Sequence, residues 1–228
     1  MPGGSTSTYV FITNDGGDME LAISDMQIYD SLTPQYLETR ADLIDNAALC
    51  VVDTNLTAET VRFIAETSRC PLFCDPVSTA KAEKLAGVLG RFHTLKPNLL
   101  EAELLSGVRI RDRASLKRAA LTLLDTGLEQ VFISMGKNGV YCADRRRQAQ
   151  IPACPANAVD TTGAGDSTMA AIVWGWLRHF TLEDCARAGM AAAAICVESA
   201  GTISPQMNPE NVVRKMNASK SKDASAAQ

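Results

Sequence analysis

The sequence predicts an α/β protein whose parallel sheet is covered by helices on both faces, and three observations carry that prediction. Apolar runs of roughly four to six residues recur along the chain, helical stretches of about ten residues separate them, and Gly or Pro punctuates most junctions. A chain of 228 residues suffices for one large domain or two small ones with a sizeable core. Its 46% hydrophobic and 21% charged residues are the balance of an ordinary globular protein.

The elements follow in order. Residues 9–13 (YVFIT) are rich in β-formers, 14–18 (NDGGD) supply turn chemistry, and 19–23 return as the second strand of a hairpin. From Asp42 onward strands and helices alternate. Residues 48–52 (ALCVV) predict a strand, 57–67 a helix, 71–74 (PLFC) a strand ahead of Asp75-Pro76, and 79–89 a helix. Residues 92–95 predict a strand, 97–105 a helix stopped by Gly107, and 114–125 a longer helix before Gly127. Residues 130–134 (QVFIS) read as a strand, 136–139 (GKNG) as a turn and 140–143 as its hairpin partner. Past Gly163, Met169, Ile172, Val173, Trp176 and Leu177 fall on one face of a helix. Thr181 with Asp184 three residues on opens another helix to about 199, and Gly201 is placed to end it. After Pro209 aromatics vanish, and 218–228 (ASKSKDASAAQ) are polar and of low complexity. The expected division is a partial lid hairpin over 1–26, one domain over 27–212 and a disordered tail over 213–228.

Charge and cysteine usage narrow the function classes. Twenty-two Lys and Arg against 26 Asp and Glu leave a net charge of −4 with no long basic block, which argues against nucleic-acid or membrane-surface partners. No apolar run reaches the length of a bilayer span, and residues 1–6 (MPGGST) carry neither the basic nor the apolar part of a secretory signal. The seven Cys contain no C-x-x-C pair, and Cys70 and Cys74 flank Pro71-Leu72-Phe73 in a strand-like run. A reduced, cytoplasmic chain without a zinc scaffold is the expectation.

The strongest chemical signal is residues 160–166 (DTTGAGD), where a polar loop enters the amphipathic helix. Small residues let a ligand approach the backbone, and the unpaired N–H groups of a first helical turn bind anions. Gly163, Ala164 and Gly165 therefore suit a phosphate. Asp166, in the first turn, suits a base that takes a hydroxyl proton while the nest holds a phosphoryl group, its ionised form favoured by the helix dipole. A plain helix start with an acidic first turn explains the same residues. Asn98 and Glu101 stand three apart at a strand-to-helix junction and share a helical face, an oxygen pair that suits Mg²⁺. An Asn cap with a surface Glu is the alternative. Residues 134–139 (SMGKNG) follow a strand as a glycine turn, and no G-x-x-x-x-G-K-[ST] loop is present, since Gly136-Lys137 is followed by Asn138.

DTTGAGD resembles the signature of the ribokinase-like, phosphofructokinase B family of carbohydrate and nucleoside kinases. N-x-x-E at 98–101 and S-x-G-x-x-G at 134–139 are similar to that family's further motifs and follow its order. The resemblance implies a three-layer α/β/α sandwich with a mostly parallel sheet and a small β lid. It implies Asp166 as catalytic base, the backbone of Gly163, Ala164 and Gly165 as anion hole, and ATP and Mg²⁺ as cofactors. Asn98 and Glu101 would order the metal and phosphates, Ser134, Gly136, Gly139 and Thr162 would line the nucleotide, and Asp160 and Thr162 would hold a monovalent cation such as K⁺. Residues 191–194 with Gly201 would close over adenine. Lys96, His93 and His179 read as structural, and Trp174 and Trp176, two apart, face different directions.

Within the family, residues 22–26 (AISDM), 52–56 (VDTNL), 75–81 (DPVSTAK), 93–98 (HTLKPN) and 101–107 (EAELLSG) are most similar to its pseudouridine kinases. That implies a small nucleoside acceptor phosphorylated on its primary hydroxyl, with ribose or another nucleoside as the alternative, and pairing of two copies through the lid. Family members open with a βαβ segment ahead of the lid, so the sequence reads as N-terminally truncated. It is expected to be either a fragment of a working kinase or a short product that binds nucleotide without transfer.

Overall fold

In the computed structural model, which describes residues 3–13 and 19–226, five of the apolar runs and one more polar segment form one sheet. Its strands are β3 (Cys50–Asp53), β4 (Leu72–Asp75), β5 (Thr94–Leu95), β6 (Gln130–Ser134), β7 (Val140–Asp144) and β8 (Gln148–Ile151), lying side by side in chain order. The pairs from β3 to β6 are parallel, and β6, β7 and β8 are antiparallel. Ahead of them β1 (Thr8–Thr13) and β2 (Met19–Asp25) make a separate antiparallel ribbon. The expected turn at 14–18 lies outside the described residues.

The period-two alternation of strand side chains divides the interior into two cores. Leu72 and Cys74 enter one core and Phe73 the other; Val131 and Ile133 likewise oppose Phe132, and Tyr141 and Ala143 oppose Cys142. The first core is closed by α3 (Ala58–Thr67), α5 (Leu99–Ser106) and α6 (Arg113–Asp125), through Val61, Ile64, Ala102, Leu116 and Leu123. The second is closed by α7 (Ala164–Leu177), α8 (Leu182–Val197) and α9 (Pro209–Ala226), through Met169, Ile172, Ala186 and Val212. The result is the expected three-layer α/β/α sandwich.

Local chemistry sets the helix ends. Thr57 caps α3 by accepting from the Thr60 N–H, Asp112 and Ser115 cap each other reciprocally at α6, and Thr181 accepts from the Asp184 N–H at α8. Gly107 ends α5 in the left-handed region at φ 67°, as expected of the glycine there.

The structure departs from the sequence expectations at four places. The helix expected over 79–89 is only α4 (Thr79–Ala82), followed by 3₁₀ turns at Glu83–Leu85 and Leu89–Arg91. Residues 86–87 make the break: Ala86 leaves the helical region at ψ 128° and Gly87 stands in the left-handed region at φ 79°, after which Gly90 packs backbone to backbone against Thr126. Two short helices, α1 (Pro34–Glu38) and α2 (Ala41–Asp45), occupy a stretch with no strong periodicity. Strand β8 (QAQI) was not anticipated, being an edge strand whose Gln148 and Gln150 face water. The tail expected to be disordered from 213 is helical as far as Ala226. Val212, Met216 and Ser219, spaced i, i+4 and i+7, are buried, and Lys215 and Lys220 reach Glu198 and Asp184 at 2.7 Å each. A low-complexity composition hid a one-sided apolar stripe. Among the described residues no helix is long and apolar enough to cross a membrane.

Phe132 is fully buried at the centre of the sheet, whereas Leu43 is 74% exposed. Phe132→Ala is expected to lower unfolding free energy by about 3–5 kcal/mol, and Leu43→Ala to stay within about 0.5 kcal/mol of the parent, both read from urea unfolding.

Candidate active site

Parallel strands deliver their C-terminal ends to one edge of a sheet, and open α/β sheets bind ligands there. On this edge Asp53 ends β3 and Asp75 ends β4 as its register partner. Lys96 follows β5 with its N–H bonded to the Cys74 carbonyl at 3.0 Å. Asn98 bridges to Ser134 at the end of β6, where the Ser134 N–H donates to the Pro97 carbonyl at 2.8 Å. The structure therefore gathers the N-x-x-E and S-x-G-x-x-G motifs side by side. The loops after β3 and β4 are cross-tied: the Thr54 hydroxyl donates to the Pro76 carbonyl, and Lys84 Nζ donates to the Thr54 and Leu56 carbonyls at 2.8 and 2.7 Å. Val77 in the second of these loops sits at φ 64°, an uncommon position for a β-branched residue.

The GAG turn meets this edge from α7. Gly163 caps the helix in the left-handed region at φ 81°, with no side chain capping it, and a Cβ would lie 2.6 Å from the Thr202 carbonyl oxygen. Only glycine satisfies both conditions. The Cys196 thiol lies within reach of the Thr162 and Thr202 carbonyls, at 3.4 and 3.5 Å, and ties the two loops together beneath the turn. Asp166 stands in the first turn. Although Asp166 is exposed, partial desolvation and then the negative charge of Asp75 push its pKa up, Lys96 pulls it back, and Asp53 adds to the rise, opposite to the direction its first-turn position predicts. Beside it opens a cleft of about 470 Å³, lined among others by Asp166, Ala170, Trp174, Ile203 and Met207.

Asn98 and Glu101 form a reciprocal cap. The Glu101 N–H donates to Asn98 Oδ1 at 2.9 Å, while the Asn98 N–H and side-chain amide donate to Glu101 Oε2 and Oε1, each at 2.8 Å. The pair shares a face as its spacing predicts, but as a capping box that leaves Glu101 2% exposed. Burial raises the Glu101 pKa against the lowering by the Asn98 N–H. Among the described residues no cluster of three or more His, Cys, Asp or Glu forms a metal cage. The donors still fit Mg²⁺ held through its own waters: hard oxygens, with Asp75, Glu101 and Asp166 outnumbering Lys96.

Other expected residues fall as follows. Gly136 is at φ 55° with open space where its side chain would be, so its backbone is approachable. Gly139, at φ 89°, is required by packing, since a Cβ would meet the Ile151 carbonyl oxygen at 2.0 Å. Asp160 accepts from the Thr162 N–H at 2.8 Å, which holds its pKa below the usual value. Ala191, Ala192 and Ala194 are buried in α8 and serve helix packing. His93 stacks on Phe73 at 5.2 Å and meets Trp176 edge-on at 5.4 Å, whereas Trp174 packs on Phe180 at 5.2 Å, so the two indoles do face apart. Asp53 and Asp75 went unnoticed as site residues; the available signal was an acidic residue ending each apolar run.

The sequence profile of the pfkB family carbohydrate kinases matches residues 1–210. The chain belongs to that family. It is 33% identical over 215 residues to the pseudouridine kinase of Escherichia coli K12, covering 93% of this chain and 69% of that one. It is 36% identical over 213 residues to the sugar kinase YeiI of the same organism, covering 92% of this chain and 59% of the other. A solved carbohydrate kinase from Agrobacterium tumefaciens superposes with a TM-score of 0.77 at 28% identity, over 94% of this chain and 69% of its own.

A carboxyl whose folded pKa lies above its unfolded value favours the folded state least when ionised, so stability falls as pH rises through the raised pKa. Asp166→Asn removes that penalty. Because Asp166 is exposed and solvent screens most of the penalty, the variant is expected to melt only slightly above the parent at pH 7.5, with the gap closing as pH falls toward about 4. An unchanged gap across thermal melts at both pH values would contradict the assigned environment.

Proposed function

We propose that this protein transfers the γ-phosphoryl group of ATP to the primary hydroxyl of a small nucleoside or sugar, with the 5′-hydroxyl of pseudouridine as the favoured acceptor. The observation that carries this reading is Asp166 in the first turn of α7, beside a glycine-capped turn with no capping side chain, at the C-terminal edge of a parallel sheet. The 33% identity to a pseudouridine kinase supports the choice of acceptor.

In this mechanism Asp166 takes the hydroxyl proton onto a carboxylate oxygen as the acceptor oxygen attacks the γ-phosphorus. The new O–P bond forms in line with the bond to the bridging oxygen, which breaks and leaves its electron pair on ADP. The N–H groups of Gly163 and Gly165 hold the charge that develops on the transferring group, whereas that of Ala164, expected beside them, donates to the Thr161 carbonyl at 3.2 Å. Mg²⁺, when bound, neutralises phosphate charge, and Asn98 and Glu101 would hold its waters. The backbones of Ser134, Gly136 and Gly139 line the nucleotide, and Asp160 with Thr162 provides oxygens for K⁺. Seven cysteines, none joined in a disulfide, support a cytoplasmic setting.

Pseudouridine-dependent ADP release in the presence of Mg²⁺ tests the reading, with ribose and uridine as competing acceptors. Asp166→Asn keeps the shape and removes the base. It is expected to cut kcat by about 10²–10⁴ and leave ATP affinity nearly unchanged. Undiminished turnover in the variant would remove Asp166 from the base role.

The ribbon supports pairing of two copies. Val10 opposite Ile23 and Ile12 opposite Leu21 share one face, and all four are 55–69% exposed. An isolated two-stranded ribbon with such a face is marginal until something covers it. Ile23→Lys is expected to shift sedimentation from dimer toward monomer, and a parent that sediments as a monomer would refute the pairing.

A further inference from the structure

Lys96 was read from the sequence as structural, and its surroundings say otherwise. Its side chain is 6% exposed, and its Nζ meets Asp75 Oδ2 at 2.9 Å. A buried pair of this kind is a weak source of stability, because the desolvation of both ions offsets much of their attraction. Its place explains more. The same Nζ stands 3.6 Å from where a Cβ on Gly165 would lie, and beyond the adjoining residues and the backbone of α7 itself nothing else comes within 4 Å of that point. The ammonium is therefore directed at the GAG turn, and the missing side chain of Gly165 leaves the space between them open. An ammonium has three donors, and the one carboxylate contact leaves capacity for an incoming anion.

Lys81 and Lys84, which follow β4 at this edge, are already engaged. Lys81 Nζ bonds Asn55 Oδ1 at 2.5 Å, and Lys84 is spent on the carbonyls of Thr54 and Leu56. Asp53, Asp75, Glu101 and Asp166 make the surroundings strongly negative. A polyphosphate entering this edge needs a cation at the point where its terminal group meets the turn.

We propose that Lys96 is a catalytic residue that donates to the terminal phosphoryl group of a nucleoside triphosphate across the GAG turn, and that Asp75 is the positioning residue that holds its ammonium there. The proposal rests on the kinase reading and adds to it a contact made by the triphosphate and not by the diphosphate. Asp75 fixes the lysine before the nucleotide arrives, so little side-chain entropy is lost on binding.

The test is calorimetric titration of ATP and of ADP, each with and without Mg²⁺, into the full chain and its Lys96→Met, Asp75→Asn and Lys96→Met/Asp75→Asn variants. The double variant removes both buried charges together and so avoids leaving one unpaired. Lys96→Met and the double variant are expected to lose about tenfold or more in ATP affinity, as for a charge-assisted hydrogen bond, and to keep ADP affinity within about twofold. Asp75→Asn is expected to show a smaller loss of the same selectivity. A merely structural lysine would weaken both nucleotides alike, and equal losses, or an ATP-to-ADP ratio unchanged in both lysine variants, would overturn the proposal. A parent chain that binds neither nucleotide would overturn the kinase reading and the Lys96 assignment with it; a parent that binds both while the ratio survives substitution removes Lys96 alone.

Discussion

Gly163 turns the chain into α7 with a backbone angle that side chains resist, and at that point the Thr202 carbonyl comes so close that a methyl group would overlap it. Several features follow from this single approach. The helix begins without a capping side chain, and although the Ala164 N–H donates to the Thr161 carbonyl at 3.2 Å, the start leaves other first-turn donors to a ligand. The loop that carries Thr202 is fixed over the turn, and Cys196 beneath both loops bonds to either carbonyl. Asp166, one turn in, inherits its place from this start. A capped helix at the same position would be more stable in isolation and would have no anion site.

The sheet supplies the opposing requirement. Parallel strands bury their middles on both faces and bring their polar ends to one edge, so the charges gathered there lie where the dielectric falls. Asp166 and Glu101 are both pushed toward the protonated form by desolvation, and both are eased by Lys96. The fold thus carries a local electrostatic load at its chemical edge, balanced by the large apolar cores on either side of the sheet. Stability resides in residues such as Phe73, Phe132 and Leu123, far in kind from those that carry the chemistry.

Whatever depends on short-range pattern was legible in the sequence. The apolar runs of β4 and β6, the capping residues of α3 and α8, and the glycine after α5 each act within a few residues. The GAG turn was legible because it combines small residues, an acidic first turn and a periodic helix. What depends on tertiary approach was not. The close approach of Gly90 to Thr126, 36 residues away, lies in no window of neighbouring residues. The Lys96–Asp75 pair joins adjacent strands, a relation that exists only once the sheet is ordered. Asn98 and Glu101 had the right spacing, but spacing could not tell that they bond to each other first. The helical stripe of α9 was hidden because Val212, Met216 and Ser219 are few and one of them is polar.

The two tryptophans of the chain lie two residues apart on α7, yet they belong to different parts of the molecule. Trp174 borders the cleft that opens beside Asp166, and Trp176 is held against Phe73 and His93 on the sheet. One helix therefore carries a fluorophore at the ligand cleft and a second, partly buried, against the sheet. Their emissions form an internal pair of signal and reference: occupancy of the cleft acts on the first, loosening of the sheet acts on the second, and single replacement of either indole by phenylalanine separates the two.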